Sequence, residues 1–186
     1  ALAGAPGSGK TTIAARIAAA LNAAEPGACV VVPMDGFHLD DRILDARGWR
    51  PRKGAPHTFD VAGLAALLDR LRANTEDEIA FPVFDRDLEL SRAAAAMAPR
   101  EARIVLVEGN YLLFDEAPWS ALHHRFDLTA MTRCAIVEVE ARLRRRWSGY
   151  GLPTEEIERR VMANDLMNAR RVWEKSVRPD FEVEAG

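Results

Sequence analysis

Cysteine is scarce in this 186-residue chain, with only Cys29 and Cys134, far apart and each beside an apolar run. Two such thiols build neither a disulfide scaffold nor a structural zinc site, and they predict reduced, buried side chains in a cytoplasmic protein. Basic residues are not in excess: 25 Lys and Arg face 28 Asp and Glu, a formal net charge of -3. A general nucleic-acid binder would carry a basic surplus, so nucleic acid is not the expected partner. No apolar run approaches the ~20 residues needed to cross a membrane, and no secretory leader is visible. The guanine-reading N-K-x-D motif and the L-S-G-G-Q signature are also missing. Switch GTPases and transporter ATPase subunits are thereby excluded, and a helicase is disfavoured by small size and acidic balance.

Against those absences stands one complete motif. Gly4-Ala5-Pro6-Gly7-Ser8-Gly9-Lys10-Thr11 is a G-x-x-x-x-G-K-[ST] phosphate loop, and Thr12 continues it. Its glycines let the backbone curl with N–H groups turned toward phosphate oxygens. Lys10 is placed to reach the β- and γ-phosphates, and the Thr11 hydroxyl to ligate Mg²⁺. A helix follows, with Ile13, Ile17 and Leu21 at helical spacing, and its N-terminal dipole favours the same anion. The sequence therefore predicts a nucleoside triphosphate site. Only Ala1-Leu2-Ala3 precede the loop, too few for the strand that normally feeds it, which predicts further native residues upstream.

Strand-like and helical segments alternate, as in an α/β fold with a mostly parallel sheet covered on both faces. Cys29 to Val32 and Ile104 to Val107 read as buried strands, Leu128 to Met131 as a third and Phe181 to Val183 as a short last one. Asp60 reads as the N-cap of a helix carrying Leu64, Leu67, Leu68 and Leu71. A later helix turns Ile136, Val139, Leu143 and Trp147 inward, and Thr154 reads as the cap of another. Residues 36–59 and 81–100 fit the alternation poorly and are expected to be irregular insertions forming an acceptor surface, with Ala93 to Ala96 a local helical run. The chain is thus expected to be one domain, 1–186.

Ligands of an open parallel sheet bind beyond the carboxyl ends of its strands. Asp35 follows the first of these strands and Glu108 ends the next, so two carboxylates converge on the triphosphate. Phosphoryl transfer needs a metal and a group that accepts the acceptor's proton, and these are the two candidates for those roles. Arg142, Arg144, Arg145 and Arg146 precede Ser148-Gly149-Tyr150-Gly151, the pattern of a hinged lid over about 142–153. At 100° per residue Arg142 and Arg146 share one face and form the expected phosphate-neutralising pair, whereas Arg145 reads as solvated. Trp49, within Gly48-Trp49-Arg50-Pro51-Arg52-Lys53, either stacks on a substrate or caps the core. His57 reads as a surface residue, and Asn164, Asp165 and Asn168 as a polar break in a helical region.

Four ordered segments carry a family resemblance. They are Met34-Asp35-Gly36-Phe37-His38-Leu39, Lys53-Gly54-Ala55-Pro56-His57-Thr58-Phe59-Asp60, Pro82-Val83-Phe84-Asp85-Arg86, and Val107-Glu108-Gly109-Asn110-Tyr111-Leu112-Leu113. With the phosphate loop they resemble the uridine kinase, phosphoribulokinase and pantothenate kinase group, including bacterial fructose transport system kinases. The resemblance implies a three-layer α/β/α P-loop kinase using ATP and Mg²⁺ on a small-molecule alcohol such as a sugar or nucleoside. It implies Asp35 as general base, Glu108 as a direct or water-mediated Mg²⁺ ligand, and His38, Arg86 and Tyr111 near the acceptor. It places the Asn164 stretch toward the adenine side and makes a homodimer common. Phe84 departs from the tyrosine of several relatives. A second implied reading is an ATP-binding regulatory module linked to a sugar transport system.

Overall fold

Leu2–Gly4, three residues long, forms the central strand β1 in the computed structural model, which describes residues 1–185. The expectation that so few residues could not make the strand is corrected. A strand flanked on both sides needs only the length its neighbours pair, and Leu2 and Ala3 are fully buried. Leu2 sits opposite Glu108 on one side and Ala130 on the other. Helix α1 (Lys10–Ala24) follows, then β2 (Cys29–Pro33), α2 (Asp41–Ala46), α3 (Val61–Ala73), the hairpin β3 (Glu78–Asp85) and β4 (Leu90–Pro99), and β5 (Ile104–Gly109). The chain continues through β6 (Ala130–Arg133), α4 (Ile136–Gly149), α5 (Thr154–Arg160), a π-helical turn (Val161–Asp165), α6 (Leu166–Lys175) and β7 (Phe181–Glu184).

The main sheet is all parallel, in the order β2-β5-β1-β6-β7. Helices cover both faces, giving the three-layer α/β/α arrangement. The larger core joins Ala3, Val32 and Val107 of the sheet to Leu64, Leu67 and Leu68 of α3 and Val172 of α6. A second cluster unites Val139 and Leu143 of α4, Ile157 of α5 and Leu166 and Ala169 of α6. The Asp60 carboxylate accepts the Gly63 N–H at 2.8 Å, as an N-cap should. Thr154, in contrast, is the first helical residue of α5, behind Pro153 in the cap position without a side-chain cap bond. The β6 strand starts two residues later than the sequence implied, because Thr129 is bonded to Asp180 instead. Both cysteines are free thiols. Among the described residues no helix is long and apolar enough to cross a membrane.

Residues 81–100 are not irregular. They belong to the antiparallel β3–β4 hairpin, a sheet of its own, and Ala93 to Ala96 lie within β4. Alanine favours helix over strand, so pairing with β3 overrides local propensity here. The ladder steps from Phe81↔Ala96 to Val83↔Arg92, a bulge at which Ala94 takes φ 50°. The hairpin lies on the turn Met34–Phe37 after β2. A Cβ at Gly36 would overlap the Pro82 carbonyl, so glycine there lets the two backbones touch. The D-G-F-H turn and the P-V-F-D-R strand are one packed unit. Residues 36–59 are also partly ordered, through α2 and two short 3₁₀ turns.

Candidate active site

The phosphate loop is pinned from below. Ser8 Oγ and Thr132 Oγ1 share a hydrogen bond of 2.6 Å in the interior, tying the loop to β6. A Cβ at Gly4 would overlap both hydroxyls, and Gly7 and Gly9 adopt φ 75° and 88°. Helix α1 begins at Lys10, so its first-turn N–H groups lack intrahelical acceptors and face the loop mouth. Lys10 is nine-tenths buried, and the Thr11 hydroxyl donates to Glu108 Oε1 at 3.2 Å. Thr132 carries no motif, and sequence reasoning missed it.

Above the loop opens a cavity of about 720 Å³. Lys10, Thr11 and Asp35 form its floor, and His38, Arg50, Lys53 and Gly54 line it from the segment after β2. The hairpin contributes Phe84 and Arg86, the end of α4 contributes Arg146, Trp147 and Tyr150, and the π turn with α6 contributes Asn164, Asp165 and Asn168. Arg86 Nη2 donates to Asp35 Oδ2 at 2.8 Å. His38 lies between Phe59 and Phe84, with ring centroids 4.2 and 4.6 Å away. The Lys53 ammonium and the Arg86 guanidinium both sit over the Phe84 ring, at 5.2 and 5.8 Å. The ring that lacks a tyrosine hydroxyl therefore serves as a shelf for two cations.

Removal from water pushes the Asp35 carboxyl up, but His38, Lys10, Arg86 and Arg146 together outweigh it and hold the group below its ordinary value. Burial pushes Glu108 up and Lys10 opposes; nearby Asp35 adds to the rise, so the two acids are driven apart. Burial also lowers His38. Its Nδ1 lies 2.7 Å from the Asp35 carbonyl oxygen, so a neutral ring carries its proton on Nδ1 and leaves Nε2 as an acceptor.

The polar break read at Asn164, Asp165 and Asn168 overlaps the π turn, whose widened geometry nothing in the sequence specifies. Arg52 Nη1 donates to the Ala163 carbonyl at 2.8 Å, inside the turn, and Asn164 Nδ2 donates to the Lys53 carbonyl at 2.9 Å. Asn168 Nδ2 donates to Asn164 Oδ1, and Arg52 Nη2 also reaches Asn168 Oδ1. The Asn164 stretch is thus bound to the 50–54 segment on the cavity wall.

No family model matches the chain. It is 33% identical over 190 residues to a Schizosaccharomyces pombe protein named "Putative uridine kinase C227.14", covering 98% of this chain and 81% of that one. It is 34% identical to the uncharacterized protein YggC of Escherichia coli K12, covering 96% of this chain and 74% of YggC. A crystal structure described as a "putative fructose transport system kinase" from Silicibacter sp. TM1040 superposes with a TM-score of 0.91 at 42% identity, over 98% of this chain and 87% of that one. The chain belongs to the uridine kinase-like P-loop kinases. The fold extends to Saccharomyces cerevisiae YFH7, with a TM-score of 0.83 at 19% identity.

In this P-loop kinase the residues expected to act together are only partly gathered. Lys10, Thr11, Asp35, His38, Arg86 and Arg146 line one cavity, and Glu108 stands behind Thr11. Tyr111 does not line it. The ring is fully buried among Phe59, Phe114 and Trp119, and its hydroxyl donates to the Gly54 carbonyl at 2.7 Å. The loop it holds lines the cavity through Gly54. Arg142 is also separated from Arg146. It is ion-paired to Glu138 and lies beside Gly9 and Ala185, outside the cavity. The shared helix face does not bring the two into one place: Arg146 lines the cavity, whereas Arg142 lies beside Gly9. Arg144 is tied to Glu140 and Glu158, while Arg145 is exposed as expected. Trp49 packs edge-on to His57 with Arg47 over its ring, away from the cavity, and His57 is exposed.

Proposed function

We propose that the chain transfers the γ-phosphoryl group of ATP to an alcohol acceptor, with Asp35 as general base. One observation carries the reading. A carboxylate held ionised by surrounding cations shares a single cavity with the phosphate-loop lysine and an arginine, Arg146, that has no ion-pair partner among the described residues. Relatives named "ATP-dependent kinase YFH7" support ATP as the donor.

The loop from Gly4 to Thr12, including Ala5, Pro6, Gly7, Ser8 and Gly9, would cradle the triphosphate, with Lys10 against its outer phosphates. The acceptor hydroxyl gives its proton to Asp35 as its oxygen attacks the γ-phosphorus. The bond from that phosphorus to the β–γ bridging oxygen breaks, and ADP leaves with the electron pair. Lys10 and Arg146 would neutralise charge on the transferring group. Arg86, now on Asp35, would turn to the acceptor as the acceptor enters, and His38 would offer Nε2 to it.

Mg²⁺ fits this site. Thr11 and Glu108 bring two oxygens to one place, and Mg²⁺ on a triphosphate takes one or two protein oxygens while phosphates and water supply the rest. Accordingly, the lack of any group of three or more His, Cys, Asp or Glu side chains among the described residues is no obstacle. When held by Thr11 and Glu108, the ion would offset the negative charge that builds on the phosphates.

The test is an ADP-release screen with ATP and Mg²⁺ across sugar, nucleoside, pantothenate-like and glycerate-like alcohols. Wild type should turn over at least one, and Asp35→Asn should lose roughly 10²- to 10⁴-fold in kcat while ATP affinity is kept. Full turnover in that variant would remove Asp35 from the role of base. The Silicibacter relative's description favours a sugar-class acceptor and raises a second reading, a regulatory module for a sugar transport system. That reading requires ATP binding with no acceptor phosphorylated and co-purification with transporter components.

A further inference from the structure

Lys53 and Arg86 are two cations of the cavity whose joint placement the kinase reading leaves unused. Both charges lie over the Phe84 ring, one from the 50–54 segment and one from the hairpin. They stand on the far side of the base from the donor. Besides His38, the Asp35 carboxylate feels Lys10, Arg86 and Arg146, whereas His38 feels Lys53 and Arg86. Arg86 is common to both, so the order across the cavity runs from the phosphate loop through Asp35 and Arg86 to Lys53. The ammonium is held there. The Lys53 carbonyl accepts from Asn164 and the Gly54 carbonyl from Tyr111, and the Lys53 side chain is only 16% exposed.

The chain's own acids do not match these charges in the working complex. Arg86 has one acidic partner among the described residues, Asp35. That acid becomes neutral on taking the acceptor's proton, so the reaction itself strips Arg86 of its counter-charge. Lys53 shares Asp41 with Arg50, each at 2.8 Å, and the Glu89 carboxylate stands 3.6 Å off. The one hydrogen bond given by its ammonium among the described residues goes to the neutral Glu89 carbonyl, at 2.6 Å. An ammonium has three N–H groups, so it has donors left for a ligand. A neutral acceptor is a poor exchange here. To reach Asp35 it must lift a guanidinium off a carboxylate and return only a hydroxyl, and a bond to an anion is roughly twice as strong. ATP does not meet the need either, because Lys10 and Arg146 already serve its phosphates and Lys53 lies beyond Asp35 from them. We infer that the acceptor is an anionic alcohol: its reacting hydroxyl lies at Asp35, and a carboxylate or phosphate ester on the same molecule is received by Arg86 and Lys53. Hydroxy acids and sugar phosphates are thereby set ahead of free sugars and nucleosides.

This rests on the kinase reading, and one experiment tells their failures apart. Steady-state ADP release with ATP and Mg²⁺ is measured on matched probes. D-glycerate against glycerol and pantothenate against pantothenol test a carboxylate; D-fructose 6-phosphate against D-fructose tests a phosphate ester. Binding of each probe in the presence of ADP is followed in parallel by thermal shift. Wild type should prefer the anionic member of at least one pair by roughly 10- to 100-fold in kcat/KM, the scale of one charge-assisted hydrogen bond. In Lys53→Met that ratio should fall about tenfold through KM for the acceptor, with KM for ATP held. Lys53→Arg, which keeps the charge, should recover part of it. An undiminished ratio in Lys53→Met overturns the inference. So does a loss that Lys53→Arg leaves unrepaired, which would make the side chain a structural tie to the hairpin. Equal use of both members of every pair by wild type, or preference for the neutral ones, refutes the anionic acceptor alone and would hand Arg86 to Asp87, its neighbour on the cavity wall. No turnover and no binding of any probe counts against the kinase reading itself.

Discussion

Arg86 donates to Asp35 across 2.8 Å, linking the tip of the β3–β4 hairpin to the turn after β2. The side chains are about half and one-fifth exposed, so the pair is open to a polar substrate from the cavity side. A base held by an arginine is a poor base until something displaces that arginine. Binding of the acceptor would free Asp35 at the moment it is needed and leave it occupied when only ATP is present.

That pairing predicts a pH effect. The Asp35 carboxyl lies below its ordinary value despite burial, because His38, Lys10, Arg86 and Arg146 favour the ionised form. Removing one cation with Arg86→Gln should raise it. The acid limb of kcat/KM should then move to higher pH, while acceptor-independent ATP hydrolysis rises. An acid limb that stays in place would show that Asp35 does not feel Arg86 in the active complex.

The two arginines of α4 should separate in kinetics as they do in space. Arg146→Ala is expected to lower kcat by roughly 10²-fold, the usual scale for losing one charge-stabilising donor. Arg145→Ala should change it less than about twofold. Arg142→Ala, outside the cavity, should act on ATP affinity rather than on kcat. Equal effects of all three would return them to a common electrostatic role.

Gly36 is predicted to be intolerant of a methyl group. Gly36→Ala must push Pro82 away and should destabilise the protein by about 1–3 kcal/mol, with a lowered melting temperature and a weakened KM for the acceptor. Gly149, the last residue of α4 and with open space around it, is the control. Gly149→Ala should raise stability by up to about 1 kcal/mol. A drop in kcat alongside that gain would identify the position as a lid hinge.

The Ser8–Thr132 hydrogen bond invites a double-mutant cycle. Ser8→Ala or Thr132→Val leaves one buried hydroxyl short of its partner and should cost about 1–3 kcal/mol. The double variant should cost clearly less than the sum. Strict additivity in chemical denaturation would mean the two hydroxyls do not depend on each other.

His38 should leave a signature in stability. Burial holds it below the ordinary histidine value near 6.5, so its contribution is present above that pH and is lost as pH falls toward the folded value. In His38→Gln the decline of melting temperature below neutral pH should be shallower than in wild type. An unchanged slope would show that the ring titrates normally.

The donor half was legible because its chemistry is written in backbone terms. Glycines at 4, 7 and 9 encode a conformation, and β-branched runs ending in an acid encode strand ends, so Asp35 and Glu108 could be placed before any coordinates. What failed depended on tertiary contacts. Nothing local in Ala93 to Ala96 announces a strand, since the partner that imposes it lies across a hairpin. Tyr111 belongs to a motif, but whether its ring faces the cavity or the core is decided by Phe59 and Trp119. Arg52 and Ala163 are 111 residues apart, and their bond exists because a helix widens for one turn.

That widening has a consequence for how the molecule tolerates change. Each residue added to a helix rotates everything after it by about 100°, so a π turn acts as a one-residue shim. Upstream of it, α5 keeps Ile157 against α4; downstream, α6 keeps Val172 in the main core. The phase difference is absorbed at Val161–Asp165, where Asn164 is turned out to the 50–54 segment. Trimming a single residue there would leave both helices intact as helices while forcing one to show its wrong side. Helix α4 and the 50–54 segment of the cavity wall are therefore kept in register by the length of the chain between them, a property that no single side chain carries.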